Sequence, residues 1–177
     1  RRPGAGSAER FSCAMAKEIE RKFLVAGDGW RPAATSRHAI VQFYLAAADD
    51  RSIRIRIRDG KEAWLTLKFG AGTGERDEFE YRVPLSDARE IQAFAIGRII
   101  EKTRHLVKHD GHIFEVDEFH GALEGFVLAE LETPEAASVA RLPEWIGEEV
   151  TGDPAYTNAS LALAGLPDEE RPDTSSG

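Results

Sequence analysis

Apolar and polar residues alternate with a period of two through most of this chain, the spacing of strands with one face buried. The alternation recurs in eight runs: Lys17–Val25, Ile40–Ala46, Ser52–Arg58, Ala63–Phe69, Glu78–Val83, Ile99–Lys108, His112–Phe119 and Phe126–Leu131. Asp59-Gly60 and Asp110-Gly111 fall between runs and predict tight two-residue hairpins, while Gly70–Gly74, Gly121 and Gly125 mark further connections. Helical spacing appears twice. Ser86 or Asp87 would cap a helix carrying Ala88, Ile91, Phe94 and Ala95 on one face and ending near Gly97. A second helix is predicted over Pro154–Ala164, with proline in its first turn and Gly165 just past its end. The stretch Glu135–Glu149 fits one or two short helical turns. The pattern therefore predicts an α+β, mainly β, fold.

The polar side of the alternation is almost entirely charged. Arg54, Arg56 and Arg58 stand opposite Ile53, Ile55 and Ile57; Glu78, Glu80 and Arg82 stand opposite Phe79, Tyr81 and Val83. Collected over all runs, eight cations (Lys22, Arg54, Arg56, Arg58, Lys68, Arg82, Lys102, Arg104) meet eight carboxylates (Glu18, Glu20, Glu78, Glu80, Glu115, Asp117, Glu130, Glu132). On any one strand an alternating Lys/Glu face is usually a solvated surface with weak cross-strand pairs. Three arginines in one run, with carboxylates segregated to others, favour a site instead. Eight antiparallel strands can close into a barrel and so remove their edges. The expectation is an eight-stranded closed β-barrel, a tunnel whose lumen carries the charges while the aliphatic faces lie outward under the helices. A dry lumen of unpaired charges would be prohibitively costly, so this one must be wet. Clustered Arg and Lys suit a polyanion. Carboxylates without His or Cys partners suit a hard cation, Mg²⁺ or Mn²⁺. Together they describe a metal-chelated polyphosphate.

Composition narrows the classes. With 31 Asp+Glu against 23 Lys+Arg, the net charge of −8 argues against non-specific nucleic-acid binding. No apolar stretch is long enough to span a membrane as a helix. A single cysteine, Cys13, excludes an internal disulfide framework and a cysteine zinc site, and a reducing cytoplasm is the expected compartment. Residues 1–14 contain no hydrophobic run of signal-peptide length and are expected to form a disordered arm, as are the polar residues 167–177 a disordered tail, which leaves one domain over 15–166. The five histidines lack metal-ligand spacing and are expected to have surface or structural roles.

The segment EIERKFLV (Glu18 to Val25) resembles the ExExK signature of the CYTH superfamily, the triphosphate tunnel metalloenzymes. The similarity continues in order through QFYL (Gln42 to Leu45), RIRIR (Arg54 to Arg58), LTLKFG (Leu65 to Gly70), EFEYRVP (Glu78 to Pro84), IEKTRHLV (Ile100 to Val107), EVDEFHGALEG (Glu115 to Gly125), LAELE (Leu128 to Glu132) and VTGDPAYTNASLA (Val150 to Ala162). The layout is most similar to short single-domain bacterial members. What the resemblance implies is metal-dependent hydrolysis of a triphosphate inside the tunnel. Glu18, Glu20, Glu130 and Glu132 would be metal ligands, and Arg54, Arg56, Lys68, Lys102 and Arg104 would hold phosphate oxygens. The face pattern adds Arg58 and Arg82 to the phosphate set. Asp117 joins the metal set as a further candidate, and sequence leaves open whether it and Glu115 bind metal or pair with cations; Glu78, Glu80 and Glu115 would support the cations. Lys22 and Tyr44 match positions associated with the attacking water. A lysine crowded by other cations would have its pKa lowered towards that of a base, with Tyr44 orienting it. Phe43, where relatives often carry Gly, is expected to point outward, and Tyr156 and Asn158 to cap one tunnel mouth or pack there.

The leading expectation is cleavage of inorganic tripolyphosphate to pyrophosphate and phosphate. A nucleoside or thiamine triphosphatase, a class IV-type adenylyl cyclase and a non-catalytic polyphosphate-binding module are the alternatives. The resemblance is also compatible with a homodimer.

Overall fold

The computed structural model describes residues 18–70, 77–134 and 141–168. The strands are β1 (Glu18–Val25), β2 (Ala34–Ala48), β3 (Arg51–Arg58), β4 (Glu62–Phe69), β5 (Asp77–Val83), β6 (Ile96–His109), β7 (His112–His120), β8 (Val127–Pro134) and β9 (Ile146–Glu149), with helices α1 (Leu85–Ile91) and α2 (Asn158–Leu163). Each of the eight predicted runs forms a strand within the described residues, Lys17 lying outside them, and β2 and β6 begin earlier than their alternation does. The predicted arm, the predicted tail beyond Asp168, and the Gly70–Gly74 loop beyond Gly70 lie outside the described residues.

Every strand pairing is antiparallel, in the order β5-β4-β3-β2-β6-β7-β8-β1-β9. This corrects the expected closed eight-stranded barrel: among the described residues the sheet has nine strands and does not close. The ninth strand comes from the end of the stretch read as helical turns, and it lies on the far side of β1, where closure would have required another partner. The sheet nevertheless curls. Tyr44 on β2 and Lys22 on β1 are four strand spacings apart, roughly 19 Å along a flat sheet. Tyr44 still packs in one cluster with Leu128 of β8 and Leu24 of β1, so β2 and β1 approach each other across a concave face.

Local chemistry accounts for the connections. Asp59 and Gly60 both have positive φ (53° and 61°), as do Asp110 and Gly111 (48° and 77°), the conformation required of both central residues in a tight hairpin turn. Pro84 precedes α1 without a side-chain cap, and Phe94, expected on its buried face, is instead 75% exposed. The second predicted helix is a 3-10 turn at Pro154–Tyr156 and then α2, because extended Thr157 interrupts them and its hydroxyl caps α2 by accepting from Ser160 N–H.

The aliphatic faces lie on the convex side in two clusters. One gathers Phe23, Trp30, Val107, Phe114, Val116, Ala129 and Leu131; the other sets Phe43, Ile55, Ile57 and Ala63 under Ala88 of α1. A third cluster is on the concave side. Tyr44, Ile100, Phe119 and Leu128 alternate in phase with the charged residues, and Leu161 and Ala162 of α2 pack against them. The concavity thus has an apolar, helix-capped end, and the charged layer begins one strand step away.

Candidate active site

Two residues along from Ile100, Phe119 and Leu128 come Lys102, Asp117 and Glu130, all buried. Register brings the charges together: Lys22 lies opposite Glu130, Arg104 opposite Asp117, and Glu115 opposite Glu130. Arg104 is the hub. Its Nε donates to Asp117 Oδ1 at 2.7 Å, its Nη2 to Asp117 Oδ2 and Glu130 Oε2 at 2.7 Å each, and its Nη1 to Glu115. Lys102 Nζ donates to Asp117 Oδ2 at 2.5 Å and to Asn158 Oδ1 at 3.1 Å. Lys22 Nζ lies between Glu20 at 3.0 Å and Glu130 at 3.1 Å.

The β3–β4–β5 side carries the remaining cations. Arg56 donates to Glu80 at 3.1 Å, as does Thr66; Lys68 pairs with Glu78 at 2.8 Å, with Arg54 more distant from Glu78 at 3.9 Å. Glu62 bridges Arg58 at 2.6 Å and Arg82 at 2.7 Å, and both guanidinium groups lie over the Trp64 ring. Arg54 Nε is buried, and among the described residues it has no hydrogen-bond acceptor.

These contacts set the protonation states. Burial works against the Glu130 carboxylate, but Lys22, Arg104 and Lys102 outweigh it and hold its pKa well below the usual range. Burial also opposes the Lys22 ammonium, and Glu130 and Glu20 overcome it, so Lys22 is held above an ordinary lysine. The expectation of a lysine crowded by cations is thus corrected: its immediate neighbours are carboxylates. Burial raises the Tyr44 phenol, with Arg54 and Lys22 pulling it back, and raises the Glu115 carboxyl despite Arg104. Burial lowers Arg56, reinforced by Arg54.

The predicted metal set is only partly assembled. Glu20 and Glu132 face each other in register, with Glu130 on the same side of β8. Two carboxylates directly opposite each other repel unless a cation lies between them, and the Lys22 ammonium between Glu20 and Glu130 is a cation already held by this group. An all-oxygen donor set of this kind fits a hard divalent ion. Asp117, left open between metal ligand and partner of cations, is wholly buried, and both its oxygens accept from Arg104 and Lys102. The Glu18 side chain lies outside the described residues, and among those described no three carboxylate or histidine groups are arranged to hold a metal.

Three contributors were missed or left vague. Gln42 is buried in the charged layer and donates to the Tyr44 hydroxyl at 3.4 Å, and Thr66 supports Glu80. Both share parity with recognised residues of their strands, which was the available signal. Asn158 reaches Lys102 from another element, a contact no local pattern announces.

The family model for the CYTH domain matches residues 16–161. The chain is 43% identical over 149 residues to an inorganic triphosphatase of Acetivibrio thermocellus, covering 83% of this chain and 94% of that protein. It is 41% identical over 153 residues to an inorganic triphosphatase of Nitrosomonas europaea, covering 83% of this chain and 97% of the relative. The crystal structure of the inorganic triphosphatase NE1496 superposes with a TM-score of 0.66 at 36% identity, covering 86% of this chain and 99% of that one. The match runs from the first strand through most of α2 and includes every charged position of the concave face, so this chain belongs to the CYTH family.

Proposed function

We propose that this protein is an inorganic triphosphatase that hydrolyses tripolyphosphate on the concave face of its curled sheet. The observation that carries the reading is the layer of Arg54, Arg56, Lys68, Lys102 and Arg104 on one face of adjoining strands, bordered by Glu20, Glu130 and Glu132. Arginines recur along β3 at every second residue, about 6.6 Å apart, a spacing suited to an extended phosphate chain rather than to a single phosphate. The similarity to inorganic triphosphatases supports the same substrate class.

Phosphoryl transfer requires mainly positioning and charge neutralisation. Arg54, whose buried Nε–H meets no acceptor among the described residues, and Arg56 would bind phosphate oxygens, and Lys102 and Arg104 would hold the neighbouring phosphoryl group from the other side of β2. Asp117 serves as their anchor, fixing two long cationic side chains in one geometry before substrate arrives. Glu20, Glu130 and Glu132, which share the concave face of β1 and β8 but are not gathered as a metal-holding group in this structure, would have to converge to hold a divalent cation, which would further neutralise the phosphoryl oxygens and acidify water. Lys22 enters as a cation, steadied by Glu20 and Glu130, and positions the attacking water with the protonated Tyr44 hydroxyl, itself held by Gln42. Water attacks in line, the P–O anhydride bond breaks, and pyrophosphate and phosphate leave. Arg58 and Arg82, tied to Glu62 over Trp64, sit farther along and would attract the polyanion on entry.

Phosphate release from tripolyphosphate, ATP and thiamine triphosphate, each with Mg²⁺, Mn²⁺ or EDTA, tests this reading. Release from tripolyphosphate far faster than from the others, and abolished by EDTA, is expected. Cyclic AMP formed from ATP, or binding without turnover of any of the three, would overturn it.

A further inference from the structure

Lys102 is the most enclosed cation of the site, and a lysine ammonium on a four-carbon stem has little intrinsic orientation. Its surroundings supply one. Of its three N–H donors, one goes to Asp117 Oδ2 at 2.5 Å and another to Asn158 Oδ1 at 3.1 Å, and the Phe119 ring centroid lies 5.3 Å from Nζ. Asp117 is shared with Arg104 and belongs to the sheet; Asn158 is the contact that comes from outside it. An ammonium has no acceptor, so the Asn158 amide must present its oxygen there, which fixes its orientation as well.

Asn158 does not hang on a free loop. Thr157 caps the turn it begins, Leu161 and Ala162 are buried against β6 and β7 side chains, and a Cβ at Gly97 would lie 2.6 Å from the Ala162 carbonyl oxygen. The α2 backbone is thus seated directly on β6, the strand that carries Lys102.

We propose that Asn158 is a positioning residue for phosphate binding, its side-chain carbonyl holding the Lys102 ammonium so that the remaining N–H faces the charged concavity. This rests on the reading of Lys102 as a phosphate ligand. Removing a hydrogen bond to a charged group would leave Lys102 free to turn towards Asp117, and grip on tripolyphosphate would weaken about tenfold.

The test is a double-mutant cycle of Asn158→Ala and Lys102→Met, read as KM and kcat for tripolyphosphate, with the midpoint of thermal unfolding recorded for each variant. For backgrounds too slow to assay, the Kd of tripolyphosphate is measured by calorimetry in EDTA. Asn158→Ala is expected to raise KM about tenfold with kcat within about twofold of the parent, and to have no further effect once Lys102 is Met. An unchanged KM in Asn158→Ala, or the same increase in both backgrounds, would overturn the proposal, since a residue that only packs α2 would act independently of Lys102. If Lys102→Met alone leaves both KM and Kd unchanged, the phosphate-binding reading of Lys102 fails, and the role of Asn158 falls with it.

Discussion

Arg104 holds together three carboxylates that would otherwise repel one another. Asp117, Glu115 and Glu130 come from two strands, two of them are buried, and each accepts a hydrogen bond from this one guanidinium. A buried ion pair is weak support for stability on its own, but removing one member leaves uncompensated charge and is costly. Arg104→Met should therefore destabilise the fold by about 3–5 kcal/mol, measured by urea unfolding; a loss below about 1 kcal/mol would mean that the carboxylates relax into water. This arrangement also shows where reading single residues stops. The parity of Lys22, Glu130 and Arg104 was legible from alternation, because a strand permits only two faces. Which charge lies beside which was not, because that depends on register between strands distant in sequence. Lys22 illustrates the difference: grouped with cations by type, it lies opposite Glu130, and its proton is held more tightly than usual.

At the scale of elements, β9 and α2 hold the two features that period-two alternation could not reveal. Strand β9 is four residues long, Ile146-Gly147-Glu148-Glu149, too short to display a pattern, and it joins β1 at a register shift. Its attachment includes Arg21, whose guanidinium donates two hydrogen bonds to Glu149, at 2.8 and 2.6 Å. Those hydrogen bonds, against a small burial cost, lower the Glu149 pKa to about 2 from an ordinary 4.5. A depressed carboxyl pKa contributes stability that is fully present above the unfolded value and is lost as pH falls through the folded one. The titratable part of the stability difference between the protein and its Glu149→Gln variant should thus be constant above about pH 5, fall between about pH 4.5 and 2, and vanish only below about pH 2. Denaturant unfolding across that range measures it, and a pH-independent difference would remove the ion pair from the account. Helix α2 was recognisable from its proline and glycine signals, yet amphipathic spacing tells which face is buried and not against what. The structure sets it at the concave end, where Gly97 has φ of +68° and no room for a side chain. Gly97→Ala combines left-handed strain with a clash against the Ala162 carbonyl and should lower stability by about 2 kcal/mol or more. Thermal unfolding reads this directly; a neutral result would mean that α2 is loosely seated.

Over the whole molecule, alternation foretold the eight main strands, their two faces and the segregation of charge, because all of these are local consequences of a period of two. Closure was not local. Whether the ends of a curled sheet meet depends on twist summed over many strands and on what occupies each edge, and here β9 occupies the side of β1 that a closing strand would need. The charged concavity survives this correction, since its residues lie on the adjoining strands β1, β8, β7, β6, β2, β3, β4 and β5 whatever the edges do. Whether this face binds the triphosphate is decided by a crystal structure of the protein grown with tripolyphosphate. Phosphate oxygens in contact with Arg54, Arg56, Lys102 and Arg104 are predicted. A well-ordered triphosphate held elsewhere, such as in the convex hollow lined by Arg31, Arg37 and His105, with the concave face free of ligand, would contradict the account.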